Sequence, residues 1–232
     1  MNKREIIGLF NSFNNLNVLI IGDVMIDSYY YGDVNRISPE APVPIVSVNK
    51  KDNRLGGAAN VALNIKALGA KPILCSVIGT DNSAAIFTSL LENENLSTDG
   101  IINSEERITT VKTRVIGNNH QVIRVDSEID TPLSLNDNDK IYTAINALID
   151  NHKIDVVVFQ DYDKGVITEK LIQDITNLCN NKSIPTAVDP KKRNFAHYKN
   201  ATLFKPNLKE LKEGLNIEIN PANIEEVEAA ID

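Results

Sequence analysis

The chain has 232 residues, 42% of them hydrophobic and 24% charged, with a formal net charge of −7. That length is enough to bury a sizeable core, and that charge excludes a general nucleic-acid or anionic-membrane binder, both of which need a basic surface. A phosphate on a small substrate stays within reach, because a few basic side chains and helix N-termini suffice to hold one.

Residues 1–13 (MNKREIIGLFNSF) read as a short amphipathic helix, without the apolar region and small-residue cleavage site of a signal peptide. No apolar run is long enough to span a bilayer, so a cytoplasmic enzyme or binding protein is expected. Residues 17–22 (NVLIIG) are continuously apolar and predict a strand buried on both faces. In 28–50, Pro39, Pro42 and Pro44 exclude helix and predict short edge strands. Gly56 and Gly57 then open a predicted helix over 58–68, with Gly69 as its C-cap.

Strand and helix alternate from there. The pattern predicts a strand at 73–78, a helix at 82–94, and a hairpin of 111–116 and 121–125 around Gly117-Asn118-Asn119. It continues with a helix at 137–151, a strand at 155–160 and a helix at 168–180. Short strands at 186–189 and 202–205 follow, then a helix over 208–214 and an acidic helical pattern over 221–232. Such alternation predicts a mostly parallel sheet with helices on both faces. Cys75 and Cys179 lie in or beside apolar runs and are expected as buried, reduced thiols, with no metal-ligand spacing around them.

Five segments carry candidate chemistry. The first, GDVMIDSYYYGD, places Asp23 and Asp27 beyond the first strand, where open parallel sheets bind ligands. Either is equally explained as a turn cap, although Asp27 at this spacing can accept hydrogen bonds from two adjacent sugar hydroxyls. The second, Leu55-Gly56-Gly57-Ala58-Ala59-Asn60, lets backbone approach a ligand closely, and Asn60 both donates and accepts. The third and fourth, beginning at Asp161 and Asp189, again follow buried strands. They bring Asp163 and Lys164, and then Lys191, Lys192 and Arg193.

In the fifth, Asn207 and Glu210 have the spacing of a capping box, and the same geometry suits phosphate and Mg²⁺-bound water near a helix N-terminus. Arg107, Lys112, Arg114 and Arg124 around the hairpin are candidates for anion contact, against the simpler alternative of a solvated face. His120, His152 and His197 are scattered and receive no role.

In this order the segments resemble the ribokinase-like carbohydrate kinase family over nearly the whole chain. GDVMIDSYYYG, RISPEAPVPIV, GGAANVALNIKALGA, QDYDKGV, VDPKKRNFAHY and KPNLKEL are most similar to its heptose 7-phosphate kinase branch, and RISPEAPVP discriminates best. The resemblance implies one domain over 1–232, a three-layer α/β/α sandwich with a small β-lid at about 28–50 and 108–126. It implies ATP and Mg²⁺ as cofactors, a sugar phosphate as substrate in the lipopolysaccharide precursor pathway, and a homodimer formed through the lid. By position it assigns the sugar to Asp27, Gly56, Gly57 and Asn60, the sugar and phosphate border to Asp161 and Lys164, and the nucleotide phosphates and metal to Asn207 and Glu210.

The family's late Gly-Ala-Gly-Asp motif, with its catalytic Asp and backbone anion hole, has no counterpart in this sequence. The fold is therefore expected to be incomplete at the C-terminus, with the base beyond Asp232 and the chain inactive alone. A non-catalytic sugar-phosphate-binding protein and a kinase for another sugar remain as alternatives.

Overall fold

The computed structural model describes residues 2–220 and 223–229. Among these, six strands form a sheet in the order β10-β9-β8-β1-β4-β5. They are β1 (Asn17–Gly22), β4 (Lys71–Ile78), β5 (Ile101–Asn103), β8 (Val156–Gln160), β9 (Thr186–Asp189) and β10 (Leu203–Phe204), and every neighbouring pair is parallel. The apolar run of β1 has a direct cause: its side chains alternate between two cores. Leu19 and Ile21 pack with Ile141, Ile145, Leu171 and Ile175 of helices α4 (Leu135–Asn151) and α5 (Glu169–Asn181). Val18 and Ile20 pack with Ala58, Ala62, Phe87 and Leu91 of α2 (Ala58–Ala67) and α3 (Asn82–Asn93) on the other face. The expected α/β sandwich is therefore present. Because β1 is flanked by β4 on one side and β8 on the other, its carboxyl end is a topological switch point, where such sheets open a ligand crevice.

A second, four-stranded sheet runs β3-β2-β6-β7, made of β2 (Val24–Ile37), β3 (Pro44–Gly57), β6 (Val111–Gly117) and β7 (His120–Ser127). The short edge strands expected in 28–50 are instead one long hairpin. β2 has 14 residues and lies inside the sheet, between antiparallel β3 and parallel β6. The prolines still act as expected, since Pro39 and Pro42 fall in the turn and Pro44 is the first residue of edge strand β3. Gly56 and Gly57 end β3, and Gly57 is the N-cap from which α2 opens, as expected. The β6–β7 turn uses Asn118 and Asn119 at φ 50° and 66°, the left-handed pair that a two-residue hairpin turn requires.

Helix α1 (Lys3–Phe13) carries a complete Asn2–Glu5 capping box. The acidic pattern at 221–232 appears as α7 (Ile224–Ala229), with 221–222 and 230–232 outside the described residues. Both cysteines are free and buried. Burial pushes the Cys75 thiol up to about 12 and that of Cys179 up to about 11. Among the described residues no helix is long and apolar enough to cross a membrane.

Candidate functional site

At the carboxyl end of β1, Asp23 is 1% exposed and accepts three backbone N–H groups from the loop after β8. They come from Tyr162 at 2.9 Å, Lys164 at 3.2 Å and Val166 at 2.9 Å. Burial raises its carboxyl, with nearby Asp161 adding to the rise, while these amides pull the other way. From the opposite side the Arg107 guanidinium donates to the carbonyls of Thr131 at 2.6 Å, Ile129 at 3.2 Å and Lys164. The loop 161–166 is thus clamped by its N–H groups on one charge and by a carbonyl on the other.

Within that loop the two expected substrate-border residues face different ways. Asp161 is 1% exposed. It accepts the Asp163 N–H at 2.8 Å, Asn194 Nδ2 at 3.0 Å and the Tyr198 hydroxyl at 2.9 Å. Its oxygens are engaged inside the fold. Lys164 instead reaches across to the second sheet, with Nζ 2.8 Å from Glu128 Oε1. Tyr162, half-buried, has its phenol raised by burial and then by Asp189, with Lys191 opposing and Asp27 adding.

Asp27 lies on β2, and Arg114 of the neighbouring β6 donates to its Oδ1 at 2.5 Å. That bond holds the Arg114 guanidinium above its ordinary value. Two residues on, Tyr29 shares the face of Asp27. The guanidiniums of Arg54 and Arg114 lie 4.9 and 5.3 Å from its ring centre, within cation–π range. Gly56 is where the Asp27 carboxylate sits, since a Cβ there would collide with Asp27 Oδ2 and Met25 Cγ. Gly57 has φ +60° and ψ −136° as α2 begins, and a Cβ there would strike the Asp23 carbonyl. Exposed Asn60, in the first turn of α2, lines the same cavity of about 550 Å³ as Asp27, Tyr29, Arg54 and Asn93.

Asn207 and Glu210 form the reciprocal cap of α6 (Leu208–Leu215), with N–H···O distances of 2.9 and 2.8 Å. Glu210 is 6% exposed and also pairs with Lys191. Burial draws the Lys191 ammonium down, but Glu210 and Asp189 more than offset it. Asp189 in turn holds Gln160 Nε2 at 2.8 Å and Lys205 Nζ at 2.8 Å. The structure therefore gathers Asp27 and Asn60 around one cavity, with Gly56 against the Asp27 carboxylate, and keeps Asn207 and Glu210 in a separate cluster beyond β9 and β10.

Tyr29, Arg54, Tyr162 and Glu128 belong to this region; Tyr29 and Tyr162 fall within the quoted segments without a role there, and Arg54 and Glu128 fall outside them. The position of Tyr29 two residues after Asp27 is the signal that reaches it in advance. Glu128 has none, because its partners are fixed only by strand register.

The model of the pfkB family carbohydrate kinases matches residues 15–232. The bifunctional protein HldE of Aliarcobacter butzleri is 42% identical over 207 residues, covering 89% of this chain and 43% of that protein. HldE of Helicobacter pylori strain J99 is 40% identical over 203 residues, or 88% and 43%. The chain thus spans less than half the length of these relatives. Among solved structures, the tetrameric inhibited form of phosphofructokinase-2 from Escherichia coli aligns with TM-score 0.69 at 17% identity, over 93% of this chain and 68% of that one. Arabidopsis thaliana ribokinase complexed with ribose and ATP aligns with TM-score 0.63 at 13% identity, over 93% and 67%. Both show the ribokinase-like fold.

Proposed function

The chain belongs to the pfkB family of carbohydrate kinases, and we propose that it carries the sugar-phosphate recognition site of a heptose 7-phosphate kinase. The reaction transfers the γ-phosphoryl group of ATP to the anomeric hydroxyl and yields the 1,7-bisphosphate. The observation that carries this reading is the Asp27 carboxylate, seated over Gly56, held by Arg114 and sharing one cavity with Asn60. Asp27 and Asn60 take sugar hydroxyls, and Arg114, Lys112 and Lys164 balance the substrate phosphate. The 42% identity to a bifunctional HldE protein supports heptose over ribose or fructose phosphate. The second sheet serves as a lid over the strand ends. The exposed Val122, Ile123 and Val125 of its outer strand support pairing with a second copy of the chain.

The second cluster suits ATP and Mg²⁺. Mg²⁺ keeps several waters and leans on substrate phosphates, needing only one or two protein carboxylates. Glu210, with Asp189 beside the same lysine, meets that need. Among the described residues no group of three or more His, Cys, Asp or Glu forms a dedicated metal cage. The ion, when bound, supplies charge neutralisation on the phosphates. Lys191 and Lys205 supply further positive charge on the protein side.

A general base must reach the acceptor hydroxyl. Asp23 and Asp161 are buried and committed to the loop 161–166, while Asp189 is held by Lys205. We expect recognition without turnover from these 232 residues. Calorimetry with heptose 7-phosphate, fructose 6-phosphate and ribose 5-phosphate, beside an ADP-release assay, tests this. Heptose 7-phosphate should bind best. Asp27→Asn should weaken that binding about tenfold, as expected when a hydrogen bond to a charged group is lost. ADP release should stay at background. Preference for a hexose or pentose phosphate would overturn the substrate assignment.

A further inference from the structure

The lid joins the body through four crossings, at Asp23 between β1 and β2, at Gly57–Ala58 between β3 and α2, at 104–110 before β6 and at 128–133 after β7, and the last two meet at charged side chains. Arg107, on the crossing before β6, donates to Ile129 and Thr131 on the crossing after β7 and to Lys164 in the loop after β8. Leu133 N–H donates to the Gly165 carbonyl at 3.0 Å, so the same loop anchors the return crossing twice.

Glu128 stands where β7 ends, and its carboxylate is shared between body and lid. Oε1 accepts from Lys164 Nζ at 2.8 Å and Oε2 from Lys112 Nζ of β6 at 2.8 Å. Lys112 continues to Asp126 at 3.0 Å, and Asp126 to Arg124 Nε at 2.9 Å. Lys112 is also the register partner of Asp27. The Lys112, Glu128 and Lys164 side chains are 15%, 26% and 20% exposed. The three charges are therefore less screened than a freely solvated surface pair, which contributes almost nothing.

We propose that Glu128 is a positioning residue that fixes the lid over the strand-end loop, so that Lys164 of the body and the Asp27–Arg114 pair of the lid face one space. The link itself stands on geometry alone. Its consequence for binding rests on the sugar-phosphate reading above. Without the carboxylate, two ammonium groups face each other and the body-to-lid link opens. The backbone bonds of Arg107 still hold the crossings, so the fold survives while the lid angle loosens.

Amide hydrogen exchange on the intact chain tests the link without any ligand. In Glu128→Gln, exchange in 104–110 and 128–133 should rise roughly tenfold, the scale of one lost charge-assisted contact, while 17–22 and 156–160 stay unchanged. Lys164→Met reads the same link from its other end, and a double variant should add nothing beyond either single one. Additive effects, a rise spread evenly into 17–22, or no rise at all would each overturn the proposal. A Glu128→Gln chain that failed to fold would leave Lys164→Met to decide it.

A second arm titrates heptose 7-phosphate. Glu128→Gln should weaken binding, and Glu128→Asp should recover part of the loss. Binding equal to wild type in Glu128→Gln would overturn the functional half of the proposal. A wild-type chain that ignores heptose 7-phosphate would instead refute the substrate reading, with the exchange arm still deciding the link.

Discussion

Gly56 and Gly57 are neighbours, yet replacing each by alanine should fail in a different way. At Gly56 the new Cβ meets side-chain atoms, the carboxylate end of Asp27 and the mid-chain Cγ of Met25. Side chains yield more readily than backbone, so Gly56→Ala should cost about 1 kcal/mol of stability while displacing the carboxylate and weakening sugar-phosphate binding. At Gly57 the obstacle is the Asp23 backbone carbonyl, and φ is +60°. Gly57→Ala should therefore cost about 1–3 kcal/mol and show first in thermal denaturation. Equal losses of stability in the two variants would contradict this division. These residues were legible in advance because the GGAAN string and the position of Asp27 are local. Asp161 was legible only as a strand-end carboxylate. Its burial depends on Asn194 and Tyr198, which arrive 33 and 37 residues later, and spacing does not reveal that.

At the scale of elements, the hairpin at Gly117-Asn118-Asn119 was readable because turn chemistry is local, whereas the length of β2 was not. Tyrosines, a glycine and charges along 24–37 show no apolar alternation; what extends the strand is pairing on both sides, with β3 and β6. The lid's charge chain has a pH signature. Burial alone would raise the Glu128 carboxyl, but Lys112 and Lys164 together hold it below its ordinary 4.5, and Lys112 and Arg124 likewise lower Asp126. A carboxylate depressed in the native state stabilises fully above its unfolded value and loses that contribution as pH falls through its native one. Asp23 runs the opposite way, since a raised carboxyl gains stability on protonation, whereas Asp137, Asp155 and Asp189 of the body are lowered like Glu128. Body and lid therefore both lose stability on acidification, and the charge chain shows as a difference between variants. Between about pH 5 and about pH 3, urea denaturation should show a larger loss of stability in the wild type than in Glu128→Gln, which lacks the titrating carboxylate. Equal losses would show that Glu128 does not titrate against its lysines.

For the whole molecule, the architecture was legible because alternating strands and helices leave few ways to cover a sheet. The strand order was not, since it rests on which crossovers pass to which side of β1. That order has an energetic consequence inside β1 itself. Ile20 and Ile21 are adjacent in the chain and both 0% exposed, yet Ile20 packs against α2 and α3 while Ile21 packs against α4 and α5. Trimming either to valine should cost about 0.5–1.5 kcal/mol. Sequence neighbours ordinarily couple through shared contacts, whereas side chains with no common partners add. The cluster membership of the two residues puts them in the second class, so Ile20→Val with Ile21→Val should destabilise by the sum of the single losses to within about 0.5 kcal/mol. Urea denaturation of the two single variants and the double one measures this directly. A larger coupling would mean that the two faces of the sheet share one core, and that β1 divides the molecule less completely than its alternating packing requires.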